Sequence, residues 1–164
     1  MINGRKTCKS LREFPPSYAV DSVDPNQGFL FSRHPAFTAL LSAIGYCHFE
    51  KKIPLKDIIN LIKKADSEGK FNHFNEWSSI WCNLLWDKEN SKIIASKHVT
   101  LMERMFKYLL GQTEVHLYDQ LKEDYKNART IVEANKVLNW DGTELTIDKD
   151  GKILQGVFNL PNKF

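Results

Sequence analysis

The stretch Pro35-Ala-Phe-Thr-Ala-Leu-Leu-Ser-Ala-Ile-Gly-Tyr-Cys47 decides the fold. Proline suits a first helical position and Ser32 or His34 can cap it, so a helix is expected to start at Pro35. Phe37, Leu40, Leu41 and Ile44 make a bulky face, and Ala36, Ala39 and Ala43 make a small-residue face for close packing. A helix apolar on both faces needs cover on both, which predicts a buried central helix in a bundle.

Four further helices are expected around it. Pro54 to Asp66 puts Leu55, Ile58, Ile59 and Ile62 on one face and Lys56 and Lys63 on the other, with Lys52 in line one turn earlier. From about Asn75, Trp77, Ile80, Trp81 and Leu84 fall at the i, i+3, i+4, i+7 spacing of a helical core stripe. Val99 to Leu110, stopped by Gly111, confines Glu103, Arg104 and Lys107 to a narrow polar strip. Thr113 can cap a fifth helix to about Ala128, with Leu117, Tyr118, Leu121 and Tyr125 inward. The period then changes. Leu145-Thr-Ile147, Asp148-Lys-Asp-Gly151 and Lys152-Ile-Leu154 read as a β-hairpin closed by an Asp-Gly turn.

The fold class is therefore mainly α: about five helices around a buried central helix, with an extended N-terminal arm and a C-terminal β-hairpin. At 164 residues one domain is the default. Residues 1–34 lack periodicity, offer only Gly28 to Ser32 as a strand and read as an arm or cover. Residues 35–164 form a single helical domain ending in the hairpin. Apolar runs are too short to span a bilayer, and no apolar region follows the basic start before Pro15-Pro16. A cytoplasmic protein without membrane contact is expected. Three irregularly spaced cysteines, Cys8, Cys47 and Cys82, fit reduced thiols rather than a disulfide framework.

Chemistry leaves few marks. The five histidines, His34, His48, His73, His98 and His116, show no metal spacing, and only Cys47-His48 could meet His73 and Cys82 in a mixed site. Cys47 and His48 point about 100° apart on a helix, which does not suit a nucleophile and its base. Phosphate-binding glycine loops and the G-x-S-x-G elbow are absent. Asp148-Lys-Asp-Gly151 has turn chemistry but not the ligand pattern of a calcium loop. No cofactor, metal or catalytic residue is assigned, and an enzyme ranks last among the function classes.

Charge distribution says more than the net +3. Residues 1–112 carry +5, residues 113–150 carry −4 and residues 151–164 carry +2. Arg5, Lys6, Lys9 and Arg12 precede any acid, and Lys51, Lys52, Lys56, Lys63, Lys64 and Lys70 surround the second helix, with Lys52, Lys56, Lys63 and Lys64 as the candidate contacts. A basic arm with a lysine stripe is a phosphate footprint, and a solvated helix face is the competing explanation. Lysines outnumber arginines 18 to 5, which disfavours base-specific reading. Trp77, Trp81 and Trp86, with Phe71 and Phe74, could stack on single-stranded nucleic acid, but helical spacing assigns Trp77 and Trp81 to the core. Trp86 lies off the stripe and is the candidate interaction residue.

Gly28 to Gly45, with an aromatic-rich helix after a short strand, and Trp81 to Gly111, with a Trp-x4-Trp element and a basic connector into a helix ending Leu-Leu-Gly, resemble the C-terminal helical region of DGQHR-domain proteins. The likeness spans residues 28 to 111. The D-G-Q-H-R sequence that names the family does not occur here, nor does the large domain in which the family carries it, so activity that depends on that domain is not carried over. The resemblance implies an association with DNA modification or mobile-element defence. Together with the charge pattern it favours a non-catalytic accessory or DNA-interacting module. The alternative is a protein-interaction module that docks a larger subunit through the polarised surface or the surroundings of Trp86.

Overall fold

The computed structural model describes residues 34–71, 77–87, 92–93 and 98–164. The proposed arm with Arg5, Lys6, Lys9 and Arg12, the Gly28 to Ser32 strand, His73 and Phe74 lie outside them. Helix α1 spans His34–Gly45 and runs on as a π-helical turn, Tyr46–Glu50. Helices α2 (Leu55–Ser67), α3 (Val99–Leu109) and α4 (Tyr118–Ala128) follow, with a 3-10 turn at Val115–Leu117. Strands β1 (Trp86–Asp87) and β2 (Lys92–Ile93) form an antiparallel pair. Strands β3 (Thr130–Ile131), β4 (Lys136–Leu138) and β5 (Glu144–Thr146) form an antiparallel sheet in that order. The fold is mostly helical with a C-terminal hairpin.

The small-residue face of α1 is the side that goes inside. Ala36, Ala39 and Ala43 are fully buried with Leu40, whereas Leu41 on the bulky face is 51% exposed. Alanines let α1 lie close along α3, which buries Leu101, Met102, Met105, Phe106 and Leu109. Among the described residues the central helix is thus covered on one side rather than all round. Gly111, at φ +74°, ends the α3 segment as its position predicted.

Four α-helices are present among the described residues, not five. The missing one is the stripe Trp77, Ile80, Trp81 and Leu84. Ile80, Trp81 and Leu84 are buried as the spacing implied, yet residues 77–85 form successive turns. The cause lies on and beyond α4. Arg129 is fully buried, and its five N–H groups all donate to backbone carbonyls. Nη2 bonds Trp77 O and Asn139 O at 2.6 Å each, Nη1 bonds Ser79 O at 2.7 Å and Cys82 O at 3.1 Å, and Nε bonds Leu138 O at 3.0 Å. Tyr125 Oη donates to Ile80 O at 3.0 Å. Carbonyls turned toward these donors do not line up in a helical ladder: Ser79 O also accepts from the Cys82 amide at 3.2 Å, but only as an isolated i to i+3 turn, and five donors exhaust a guanidinium.

The C-terminal region is richer in strand than expected. The turn Asp148 to Gly151 closes as predicted, with Ile147 bridged to Ile153 and Asp148 Oδ1 accepting from the Asp150 and Lys152 amides at 2.9 Å each. The regular hairpin, however, is β4–β5 with Val137 opposite Leu145, and its turn carries Gly142 at φ +87°. In the fifth expected helix, Thr113 caps nothing and Leu117 is exposed, because the chain passes through the 3-10 turn before α4 begins.

Candidate nucleic-acid interface

Helix α2 is amphipathic at the helical period: Ile58, Ile62 and Ala65 are buried, and Lys56, Lys63 and Lys64 are exposed on the opposite side. Lys56 and Lys63 are about 20° apart around the axis and about 10 Å apart along it. Asn60 and Ser67 share their line, so that strip carries no acid. Lys64 lies about 100° away from Lys63, in a column with Asp57 and Glu68. Lys52 is not in line one turn earlier. It precedes Pro54 in the left-handed region at φ +58°, so the helical periodicity does not reach it, although its side chain is exposed.

Among the described residues, ion pairs engage one lysine each before α2, on α3, on α4 and on β4, while Lys122, Lys149 and Lys152 go without one. Lys51 pairs with Glu114, Lys107 with Glu103, Lys126 with Glu123 and Lys136 with Glu144. Lys52, Lys56, Lys63 and Lys64 have no carboxylate partner among the described residues. Trp86 is half-buried, sits in β1 opposite Ile93 and packs against the core. Trp81 is fully buried, with Nε1 donating to Lys70 O at 2.7 Å, which removes it from any stacking surface.

Two concavities were not legible as sites. Where α2 ends, Glu68, Lys70, Ser78, Trp140, Pro161 and Phe164 contribute to a pocket of about 230 Å³. A wider groove of about 550 Å³ between α3, α4 and β1 brings together Asn83, Asp87, His98, Arg104, Asp124 and Asn127. There Arg104 Nη1 and Gln120 both donate to Asp124, and the arginine bond foremost holds that carboxyl below its ordinary range. The hydroxyls lining the groove are those of Thr100 and Thr130, and Thr130 Oγ1 donates to Lys126 O. The groove residues span 83 to 130, so no local motif announces them.

Cys47 and His48 are not a catalytic pair. Burial pushes the Cys47 thiol up, and His48 Nδ1 bonds Ile53 O at 3.0 Å. Cys47 and Cys82 are both buried free thiols, and among the described residues no metal-binding group of three ligands forms. No helix of the described residues is long and apolar enough to cross a membrane. The chain matches no protein family, no curated protein and no solved structure.

Proposed function

We propose that this chain is a non-catalytic DNA-interacting module that holds phosphates through Lys52, Lys56, Lys63 and Lys64, with the Arg5, Lys6, Lys9 and Arg12 arm as a second contact. The observation that carries this reading is that, among the described residues, Lys56, Lys63 and Lys64 of α2 are exposed together on one side of the helix without a carboxylate partner. A lysine left without a partner keeps its ammonium available for an outside anion. The resemblance to DGQHR-domain proteins supplies the setting, DNA modification or mobile-element defence.

Docking of a larger protein subunit is the second reading. It is favoured by apolar side chains on the same stretch, Phe49 at 66% and Leu55 at 47% exposure.

Titration with DNA at two salt concentrations separates them. Each phosphate contact adds about 0.9 to the slope of log affinity against log salt. Three or four lysine contacts predict a fall of roughly 40-fold to 150-fold between about 50 and 200 mM salt. K56E together with K63E should lower the slope by about two. Binding that ignores salt or the double substitution overturns the phosphate reading.

A further inference from the structure

The pocket at the end of α2 has a lining that discriminates among ligands. Trp140 is half-buried and forms one wall. The Lys70 ammonium stands over its ring at 6.0 Å from the centroid, a looser cation–π contact than the 4.2 Å of Lys107 over Tyr46, and a stacking ring would have to displace it on its flexible side chain. Glu68 lines the same space, and Glu68 and Lys70 form no ion pair with each other. An anionic ligand would meet the Glu68 carboxylate and a cationic one the Lys70 ammonium. A flat neutral ring carrying both N–H donors and carbonyl acceptors can use both side chains and stack on the indole. The volume, about 230 Å³, lies below that of pockets for drug-sized ligands and suits a single ring system.

The walls are held in place before any ligand arrives. Ser78 and Ser79 belong to the segment whose carbonyls Arg129 gathers, and the hairpin turn lies so close that a Cβ on Gly142 would sit 3.3 Å from the Ser78 nitrogen. Pro161 and Phe164 close the far side, with the Phe164 amide bonded to Leu109 O at 2.9 Å and its ring edge-on to Phe71.

We infer that this pocket receives a single unpaired nucleobase, stacked on Trp140 between Glu68 and Lys70, while the adjoining phosphates follow Lys63 and Lys56 along α2. The inference rests on the phosphate reading of α2 and narrows it to single-stranded nucleic acid, because a base inside a duplex cannot leave its stack without cost.

The test uses the full chain, at about 50 mM salt, with two labelled strands of equal length, one carrying bases and one abasic at its internal positions. Stacking on one aromatic residue predicts about tenfold tighter binding of the base-bearing strand. Trp140→Ala should abolish that difference and leave the abasic affinity unchanged, and Trp140→Phe, which keeps a stacking surface, should retain most of it. Should Trp140→Ala fail to fold, the comparison of the two strands on the unaltered chain and on Trp140→Phe decides. Equal binding of both strands overturns the base pocket and leaves the phosphate reading intact. Binding of neither overturns both.

Discussion

Tyr125 and Arg129, one turn apart along the chain, donate to neighbouring carbonyls of one segment: Tyr125 Oη to Ile80 O at 3.0 Å and Arg129 Nη1 to Ser79 O at 2.7 Å. The guanidinium lies 5.9 Å from the Tyr125 ring centroid, so the two side chains also support each other. Residues 77–82 take their shape from this pair as much as from their own sequence.

Replacing Arg129 should therefore be severe. Arg129→Met removes a donor from five backbone carbonyls, of which Ser79 O and Asn139 O keep an amide partner, and breaking a buried charged network costs about 3–5 kcal/mol. Arg129→Lys, with three donors against five acceptors, should recover only part of this. Urea denaturation measures the loss, and amide exchange should show it first in residues 77–85.

Tyr125→Phe removes one bond and should cost about 1–2 kcal/mol. It also changes the alkaline limit. Burial pushes the Tyr125 hydroxyl up to about 12, with Arg129 acting in the opposite direction. A raised folded-state value means that this group's contribution is complete below about pH 10 and is lost as pH rises toward 12. Over that window the unaltered chain should lose about 1.4 kcal/mol per pH unit from this residue, and Tyr125→Phe should lose correspondingly less. Denaturation midpoints at pH 9, about 10.5 and about 11.5 test the sign.

Asp124 sets a weaker limit in acid. Its hydrogen bond from Arg104 lowers its titration, so its contribution is present above the ordinary carboxyl value of about 4 and disappears as pH falls below it. The pair is partly open to solvent, and Asp124→Asn should cost under about 1 kcal/mol, less in high salt. A double-mutant cycle with Arg104→Gln isolates the coupling.

Two glycines should respond differently to alanine. Gly142 and Gly151 both have positive φ, +87° and +76°, but Gly142 faces the Ser78 backbone at 3.3 Å whereas Gly151 faces open space. Gly151→Ala should cost about 1–2 kcal/mol from conformation alone, and Gly142→Ala more, because backbone cannot swing aside. Thermal midpoints of the two variants give the ordering.

Periodicity identified α1, α2, α3 and most of α4, because each has an apolar face that packs against the core. It identified the burial of Ile80, Trp81 and Leu84 but gave them a helix, since the partners that withdraw their carbonyls lie about fifty residues downstream and a charged Arg129 reads as surface. Leu145 to Ile147 was legible as a strand and overlaps β5, and the Asp148 turn was legible from its Asp-Gly signal, but β4 was not, so the local pattern pairs the strand forward with Lys152 to Leu154 rather than back with Lys136–Leu138. The exposed lysines Lys56, Lys63 and Lys64 were legible. The Trp140 pocket was not, because it joins the end of α2 to a hairpin and a C-terminal segment that no local pattern links.

The Arg129 cluster also orders events during synthesis. Trp77 O, Ser79 O and Cys82 O wait for a donor 52, 50 and 47 residues later in the chain. On a ribosome, α1 and α2 emerge long before that donor, whereas residues 77–82 stay without their final hydrogen-bond partners until α4 has left the exit tunnel. Their final hydrogen bonds cannot form before Arg129 is made, and a pause in translation just before Arg129 would hold the chain with that tryptophan-containing segment unfinished.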